Sequence, residues 1–478
     1  MEANIVGREP ERETLGQLYA SREPEFLAVY GRRRVGKTFL VKEYFEGRGP
    51  FFELTGEKDA TLSEQLQNFV FAYRTQFPDA PVPQVSSWRE AFQLLATSID
   101  RTWPKKRIIL FFDELPWLAS RKSKFLTALD HFWNSWGTRR NLLLVVCGSA
   151  ASWMIGNLLH NKGGLYNRVT AQIRLLPFSL HEVETYMKSR GVNLGRKDMV
   201  ELYMCLGGIP HYLRGVQRGE SVAQAVDRMC FSSHGLLHNE LDRLFASLFE
   251  NHERHVAAIR ALAAKRSGMT RQQLVVALGS SSGGGLTRVM KELEESSFIS
   301  RDASFGQLKR DAIYRLIDEY CLFHLTWVDR MRGEGQGYWM GRHGTPAWRA
   351  WAGLAFEAIC LKHVEQIRQG LGISGVSTVR SGWQAKTEKE GAQIDLVIDR
   401  ADNCISLCEM KYSDESFTIT RSYAEILRRK VRMFRDMTRT RKNLFLTMVT
   451  THGCRHNPNF EELVDYELTV DALFTKNT

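Results

Sequence analysis

Four residues in one short stretch have the types and the spacing of a phosphate site. Between Phe26 and Leu40 an apolar run ends at Gly31 and leads into the pattern G-x-x-x-x-G-K-[ST], completed by Gly36, Lys37 and Thr38. A helical pattern follows, so strand, loop and helix come in the order that phosphate binding needs. Backbone N–H groups of such a loop cradle phosphates, and its glycines allow close backbone approach. The stretch therefore predicts a nucleotide site.

The polar side chains of this loop have distinct tasks at a nucleotide. The Lys37 ammonium would neutralise β- and γ-phosphate oxygens, and the Thr38 hydroxyl would ligate Mg²⁺. Arg34 is predicted to contact the nucleotide, whereas Arg32 and Arg33 are expected to lie in solvent. The alternative is a chance match to a short pattern.

A second apolar run argues against chance. Residues 107–114, RIILFFDE, end in Asp113 and Glu114. At the end of a buried strand, the first carboxylate of such a pair binds Mg²⁺ and the second lies near the attacking water. Asp113 is therefore predicted as a metal ligand and Glu114 as the general base. Together the two motifs predict ATP and Mg²⁺ as cofactors.

Two further residues are candidates for sensing the γ-phosphate. Ser149 ends a third apolar run, NLLLVVCGS, and would face the γ-phosphate, unless this run is simply a core strand. The position of Arg168 resembles that of a basic residue in related P-loop ATPases, which implies that it could reach the γ-phosphate of its own or a neighbouring subunit and stabilise the transferring charge. The alternative is a surface arginine beside a strand.

The elements that must position these residues alternate along the chain. Helical patterns at 61–73 and 123–136 separate the three apolar runs, which predicts an α/β fold with a doubly wound parallel sheet over residues 1–181. Ligands bind such sheets at the carboxyl ends of the strands, where Gly31, Asp113 and Ser149 all fall.

A second set of reactive residues lies near the C-terminus. A predicted helix contains Glu357, and two strand patterns follow, one with Asp395 and one with Glu409 and Lys411. Side chains alternate along a strand, so the last two share a face, and Asp395 could join them across a hairpin through Asn403. Phosphodiester hydrolysis needs carboxylates that hold Mg²⁺ and a lysine that offsets phosphate charge.

The same residues allow a structural explanation. Alternating charges on a surface strand often form a ladder of salt bridges. However, Glu409 follows the apolar Ile405 and Leu407 on one face, so that face is partly buried and a charge there needs a reason. Asp395 and Glu409 are therefore predicted as metal ligands. A degenerate site that binds without cleaving is the other alternative.

The middle of the chain predicts two helical modules. Residues 182–254 are predicted to be mainly helical, and Leu206–Leu213, LGGIPHYL, resembles a Gly-Gly-x-Pro element of STAND-like and archaeal-type P-loop ATPases. The resemblance implies a helical lid in which these glycines and the proline reverse the chain between helices. Residues 255–345 combine three helices, a hairpin and a glycine-rich linker, as in a winged helix. Arg288 would face outward on its third helix, together with Lys291. That helix is also acidic, so a structural or interaction role is favoured over reading of base edges.

Composition limits the possible partners. The chain has 478 residues and a net charge of +11, which favours a polyanionic partner without proving one. The helix pattern at 422–437 and the residues after it carry basic side chains that suit contact with a nucleic acid backbone, although a solvated charge run is equally consistent. The absence of a signal peptide and of any apolar run near ~18 residues predicts a cytoplasmic protein without a membrane partner.

Over nearly its full length the chain resembles archaeal-type, AAA+/STAND-related P-loop ATPases with a winged helix and a C-terminal nuclease-like domain. The C-terminal residues resemble the PD-(D/E)XK nuclease superfamily, although Ile394 replaces the proline of that pattern. The resemblance implies a P-loop NTPase, a lid, a winged helix and an α/β restriction-endonuclease-like domain over residues 346–478. It also implies an ATP-hydrolysing, DNA-directed protein. The rival is a nucleotide-dependent switch that binds a protein partner or forms a homo-oligomer and cuts nothing.

Overall fold

A computed structural model describes residues 5–120, 122–159, 165, 167–249, 251–279, 284–302, 305–306, 312–331, 335, 337–386 and 390–476. The chain divides into two compact units, Met1–Leu176 and Pro177–Thr478. The predicted lid, winged helix and C-terminal domain fall in the second unit, and their separation into individual domains stays a prediction. No described helix is long and apolar enough to cross a membrane. All eight cysteines are unpaired, and only Cys404 is not fully buried.

The first unit is built on a parallel sheet. Its described strands are β1 (Glu25–Tyr30), β2 (Phe51–Thr55), β3 (Ile108–Asp113), β4 (Leu142–Gly148) and β5 (Ala171–Arg174). They lie in the order β2-β3-β4-β1-β5, and each neighbouring pair is parallel. Every residue of β3 and β4 is buried, so both faces of the sheet centre are covered, as in doubly wound sheets. The predicted parallel α/β sheet is confirmed.

Helices of the first unit connect these strands. They are α1 (Glu9–Ala20), α2 (Lys37–Phe45), α3 (Leu62–Gln76), α4 (Trp88–Thr102), α5 (Leu115–Leu118), α6 (Phe125–Ser135) and α7 (Ala151–Met154). Helix α3 starts in a capping box, in which Thr61 accepts from the Glu64 N–H and the Glu64 carboxylate accepts from the Thr61 N–H. The helices predicted at 61–73 and 123–136 are confirmed as α3 and α6. On one side of the sheet, aromatic rings such as Trp88, Phe92 and Phe125 form a continuous core.

The second unit begins with a helical segment. Its helices are α8 (Leu180–Ser189), α9 (Arg196–Leu206), α10 (Pro210–Leu213), α11 (Val222–Val226) and α12 (Glu240–Leu248). Gly207 ends α9 with φ 62°, a conformation that favours glycine. A Cβ on Gly208 would lie 1.9 Å from the Phe178 carbonyl oxygen, and the Phe178 N–H donates to the Gly208 carbonyl at 2.6 Å. Pro210 then opens α10, so the glycines lie in a turn between two helices, and the reversal of the chain stays a prediction.

Substituting Gly208 with alanine is expected to destabilise the second unit by about 3 kcal/mol, because the added methyl group meets backbone that cannot rotate away. Hydrogen exchange of peptides from α9 and α10 would measure the loss. Gly375→Ala is the matched control, since a Cβ there meets nothing within 4 Å; its effect should stay within about 0.5 kcal/mol. Equal protection in both variants would contradict the role of the close contact.

The next segment contains the elements predicted for a winged helix. They are α13 (His252–Ala264), β6 (Met269–Thr270), α14 (Arg271–Ala277), α15 (Gly284–Glu295), β7 (Ile299–Asp302) and β8 (Ile313–Leu316), followed by α16 (Glu319–Phe323). The strands form an antiparallel sheet in the order β6-β8-β7. The side chains of Arg288 and Lys291 face outward as predicted, with 77% and 64% exposed, and pair with Glu292 and Glu295 on the same helix. The name winged helix stays a prediction.

Part of the predicted glycine-rich linker is ordered. Tyr338–Arg342 forms helix α17, and Trp339 is buried. The buried Asp227 carboxylate accepts the N–H groups of Gly337 at 2.6 Å and Trp339 at 2.8 Å. The segment predicted as a glycine-rich linker thus contains a short helix, because a carboxylate caps its first turn and a large aromatic ring anchors it.

The C-terminal segment combines helices with a mixed sheet. Its elements are α18 (Pro346–Lys362), α19 (Val364–Gly370), β9 (Thr378–Lys386), β10 (Gly391–Arg400), β11 (Cys404–Lys411), α20 (Arg421–Thr438), β12 (Asn443–Thr450), α21 (Pro458–Leu463) and β13 (Tyr466–Thr469). Strands lie in the order β13-β12-β11-β10-β9, and β9, β10 and β11 are antiparallel whereas β11, β12 and β13 are parallel. Asn403, with φ 62°, turns β10 into β11 and confirms the predicted hairpin.

A hydrogen bond to a buried carboxylate joins this sheet to the helical segment. Tyr412, which follows directly after β11, donates its hydroxyl to Glu201 on α9 at 2.5 Å. Glu201 is buried and also bonds His343 at 3.0 Å. Burial and the negative charge of Glu201 raise the pKa of Tyr412, so the phenol stays a neutral donor.

Candidate functional site

The predicted phosphate loop connects β1 to α2. A Cβ on Gly31 would lie 2.2 Å from the Leu175 carbonyl oxygen, so glycine is required there by close backbone approach. Gly36 has φ 94°, and a Cβ would meet nothing nearby, so glycine is required there by conformation. Arg34 also has positive φ, at 72°. Both glycines of the pattern thus have a backbone reason for their identity.

Lys37 and Thr38 open α2 and point toward the end of β3. The Lys37 ammonium donates to the carbonyl oxygens of Gly31 and Arg32, both at 3.0 Å, and this side chain is buried. The Thr38 hydroxyl donates to Asp113 Oδ2 at 2.7 Å. The hydroxyl and the carboxylate predicted to share Mg²⁺ therefore lie side by side.

These donors fit a magnesium ion that also binds nucleotide. Hard oxygen donors suit Mg²⁺, which usually takes one or two protein ligands and completes its shell with phosphate oxygens and water. Across the described residues, no three His, Cys, Asp or Glu side chains could hold a metal ion together. Metal binding at Thr38 and Asp113 would thus depend on the nucleotide for its remaining ligands.

The predicted base Glu114 is held by the predicted sensor. Ser149 donates its hydroxyl to both Glu114 carboxylate oxygens, at 2.9 and 2.8 Å, and its N–H to Oε2 at 3.2 Å. Glu114 has φ 48°, a strained conformation for a residue with a Cβ, and its N–H donates to Asp113 Oδ1 at 2.9 Å. The arrangement makes Ser149 a positioning residue for the Glu114 carboxylate.

Sequence reasoning missed Cys147, which belongs to the same site. Burial raises the pKa of its thiol well above the usual value, and the negative charge of Asp113 adds to this effect, whereas Lys37 opposes it. A neutral thiol thus borders the Asp113 carboxylate. The available signal was its position near the end of β4, two residues before Ser149.

The basic residues of the first unit are placed differently from the expectations. Arg32 is only 2% exposed, so its expected position in solvent is wrong, and Arg33 and Arg34 are half-buried. The charged type of Arg32 favoured exposure. In the fold, however, its carbonyl bonds Lys37 and its side chain turns inward.

Arg168 lies near the amino-terminal ends of the parallel strands, whereas the phosphate loop follows the carboxyl end of β1. Two residues later, the Thr170 N–H donates to the Phe26 carbonyl at 2.9 Å, beside the start of β1. Strand β1 has six residues, so its two ends lie roughly 20 Å apart. Arg168 is exposed and is not brought together with Lys37, Thr38 or Asp113.

The second predicted set converges on Glu409. This carboxylate is 1% exposed on β11. The Lys430 ammonium donates to both of its oxygens at 2.7 Å, and the Tyr423 hydroxyl donates to Oε2 at 3.2 Å. The Lys411 ammonium lies 3.6 Å from the same Oε2. Glu409 is thus a buried, multiply bonded carboxylate.

Asp395 and Glu357 complete the cluster. The Met410 N–H donates to Asp395 Oδ2 at 3.1 Å across the hairpin. Burial, followed by the negative charge of Asp395, raises the pKa of Glu357 to about 7, whereas the nearby Lys411 opposes this shift. Burial and the Asp395 charge likewise raise the pKa of Glu409, against Lys430 and Lys411. The predicted residues thus lie within electrostatic reach of one another. We call Glu357, Asp395, Glu409 and Lys411 the carboxylate–lysine cluster.

Lys430 and Tyr423, both on α20, were missed by sequence reasoning. The signal was available, because Tyr423, Leu427, Lys430 and Phe434 follow the spacing of one helix face. A lysine within an apolar stripe faces the core side of its helix. Such a lysine needs a buried partner, which here is Glu409.

The carboxylate–lysine cluster does not form a metal centre as it stands. Carboxylate oxygens are suitable ligands for Mg²⁺. However, both oxygens of Glu409 bond Lys430, and no metal-holding group of three such residues exists among the described parts of the chain. Asp395 and Glu409 lie together as predicted, but the Lys430 ammonium group contacts Glu409.

The basic surface of α20 is partly neutralised. Arg428 pairs with Glu462 at 2.6 Å and Arg432 pairs with Glu390 at 3.0 Å. Further basic side chains on and after this helix are exposed, namely Arg421, Arg435, Arg439 and Arg441. The surface therefore retains basic groups that could contact a polyanion.

Comparison with known proteins supports the interpretation of the first site. Residues 5–216 match the model of a family described as an ATPase domain predominantly from Archaea. An uncharacterized protein of Methanocaldococcus jannaschii is 24% identical over 327 residues, which are 68% of this chain and 69% of that protein. The matched family range contains both nucleotide-site motifs and extends past the turn at Gly208.

Solved structures with similarity to the chain include a Walker-type ATPase of Pyrococcus abyssi, with a TM-score of 0.48 and 18% identity over 68% of this chain and 97% of that one. The ORC2 protein of Aeropyrum pernix has a TM-score of 0.34 and 14% identity, over 69% of this chain and 97% of that one. At these TM-scores the similarities carry no conclusion about function.

Proposed function

We propose that the archaeal-type ATPase domain of this chain binds ATP with Mg²⁺, hydrolyses it, and uses the nucleotide state to control a DNA endonuclease-like site in the second unit. The observation that carries the ATPase assignment is the 2.7 Å contact between Thr38 and Asp113. It joins the two motifs, 75 residues apart, at one edge of the parallel sheet, where ligands of such sheets bind.

The hydrolytic step is assigned to residues of this edge. The Lys37 ammonium exchanges the Gly31 and Arg32 carbonyls for phosphate oxygens when ATP binds. Glu114 takes a proton from the attacking water, and Ser149 orients its carboxylate. When bound, Mg²⁺ supplies a Lewis acid that neutralises charge on the phosphate oxygens.

Arg168 is assigned to a neighbouring copy of the chain. Its side chain would have to cross the length of β1 to reach its own γ-phosphate. At the exposed amino edge of the sheet it is available to a second subunit, whose transferring phosphoryl group it would stabilise. The proposal therefore includes a homo-oligomer in which nucleotide sites lie between subunits.

The carboxylate–lysine cluster is assigned to the phosphodiester backbone of DNA. Burial of Glu409 at 1% exposure argues against a solvated ladder of surface charges. Lys411 and Lys430 supply positive charge for a phosphate, and the exposed arginines of α20 supply contacts along the backbone.

A second candidate function has one specific observation in its favour. The Lys430 ammonium donates to both oxygens of Glu409. A permanent ion pair of this kind is expected in a site that binds nucleic acid without cleaving it. In that case the protein is a nucleotide-dependent switch that binds DNA or a protein partner.

A cleavage assay separates the two functions. Plasmid DNA with Mg²⁺ or Mn²⁺, with and without ATP, is expected to be cut by the wild type and at least about 10²-fold more slowly by Glu409→Ala. Glu415→Ala is the matched control, because that carboxylate is 84% exposed. Lys37→Ala should weaken ATP binding and remove any effect of ATP on cleavage.

The outcomes have distinct meanings. Cleavage that survives Glu409→Ala, or no cleavage under any condition, would overturn the endonuclease assignment in favour of the second candidate. Unchanged ATP binding by Lys37→Ala would instead overturn the nucleotide site.

A further inference from the structure

Both carboxylate oxygens of Glu409 accept hydrogen bonds from side chains of one helix. Lys430 contributes two bonds of 2.7 Å and Tyr423 contributes one of 3.2 Å, and both residues lie on α20. The side chain of Lys430 is 15% exposed and that of Glu409 is 1% exposed, so water screens this ion pair weakly. The ion pair therefore blocks the Glu409 oxygens from binding a cation.

A divalent cation and the Lys430 ammonium compete for the same atoms. A cation must take the carboxylate oxygens that the ammonium now holds, and the two positive charges repel each other at such short range. Lys411 competes less, because its nitrogen lies 3.6 Å from one oxygen only. Cation entry thus requires that Lys430 in particular find another partner.

A phosphate group is a suitable new partner for Lys430. Phosphate oxygens accept charge-assisted hydrogen bonds from ammonium groups. Lys411, whose side chain is 29% exposed, lies beside the same carboxylate and would offer the phosphate a second ammonium group. The long, flexible stem of lysine allows the ammonium to change partners without movement of the helix.

We propose that Lys430 is a resident counter-ion of Glu409 that transfers to a backbone phosphate when nucleic acid binds, so that nucleic acid and a divalent cation enter the site cooperatively. The inference rests on the proposed DNA-directed function of the cluster. It makes Lys430 a positioning residue that keeps cations out of the site in the absence of substrate.

The test measures Mn²⁺ binding to the full chain without nucleotide, by the electron paramagnetic resonance signal of free Mn²⁺. Lys430→Met is expected to bind Mn²⁺ at least about tenfold more tightly than the wild type, within the ordinary range of coupling between ligands. The double variant Lys430→Met/Glu409→Gln should return to wild-type affinity. Lys442→Met is the matched control, because it removes a lysine bonded to Asp399 elsewhere on the sheet and should leave Mn²⁺ affinity unchanged.

A second arm adds a short phosphorothioate DNA duplex, which resists cleavage during the measurement. The duplex should raise the Mn²⁺ affinity of the wild type about tenfold and leave that of Lys430→Met unchanged. Lys430→Gln removes the charge but retains a hydrogen-bond donor, and it gives the same comparison if Lys430→Met does not fold.

Three results would overturn the proposal in distinguishable ways. Equal Mn²⁺ affinity of the wild type and both Lys430 variants would exclude the counter-ion role. Duplex binding, measured by fluorescence anisotropy, without a change in wild-type Mn²⁺ affinity would exclude the transfer and leave the DNA-directed function intact. No duplex binding by the wild type would overturn that function and the transfer together.

Discussion

Replacing Glu114 with glutamine is expected to lower the rate of ATP hydrolysis by roughly 10²–10⁴-fold while ATP binding changes little. Glutamine keeps the shape of the side chain and can still accept from the Ser149 hydroxyl, which now bonds both carboxylate oxygens. It cannot take a proton from water. Phosphate release under steady state and equilibrium titration with a fluorescent ATP analogue would measure the two effects separately.

The control for this prediction is Glu46→Gln, which changes an exposed carboxylate just after α2 and should not affect either measurement. Ser149→Ala should have a smaller effect than Glu114→Gln, because it loosens the carboxylate without removing it. Full hydrolysis by Glu114→Gln would exclude Glu114 as the base.

Replacing Arg168 with alanine is expected to lower hydrolysis by roughly 10³-fold or more, the size of effect that an arginine acting on a transferring phosphoryl group has in other ATPases and GTPases. Because Arg168 lies at the amino edge of the sheet, its target is expected in a neighbouring subunit. Mixing Arg168→Ala with Lys37→Ala should therefore restore part of the activity. In the mixed assembly, an intact phosphate loop meets an intact arginine from the other variant.

The matched control is Arg139→Ala, since this exposed arginine precedes β4 at the same edge of the sheet and should leave hydrolysis unchanged. Unaltered hydrolysis by Arg168→Ala would exclude the role. Inactive mixtures of two variants that still assemble would exclude action between subunits.

The nucleotide site could be predicted because most of its geometry is local. Its loop residues are close together in the chain, from Gly31 and Gly36 to Lys37 and Thr38. The backbone conformation that the loop needs is indicated directly by its glycines. The bond between Ser149 and Glu114 could not be predicted in the same way. It joins residues 35 apart and depends on β3 and β4 being neighbours, which periodicity does not specify.

The second cluster shows the same division. The hairpin that joins Asp395 to Glu409 follows from strand alternation and from the turn residue Asn403, both of which are local signals. The partner of Glu409 is set by how α20 lies against the sheet. Several consecutive residues of that helix are basic, so charge alone does not select Lys430 from among them.

The contact between Tyr412 and Glu201 has a consequence for divergence of the sequence. A phenylalanine at 412 would leave the buried Glu201 carboxylate with one bond fewer, and an alanine at 201 would leave the phenol without its acceptor. Each single exchange costs more than the paired one, so the two positions are expected to covary among relatives. Position 412 adjoins Lys411 of the carboxylate–lysine cluster. Selection on that cluster is therefore expected to affect which residues occur at position 201 in helix α9.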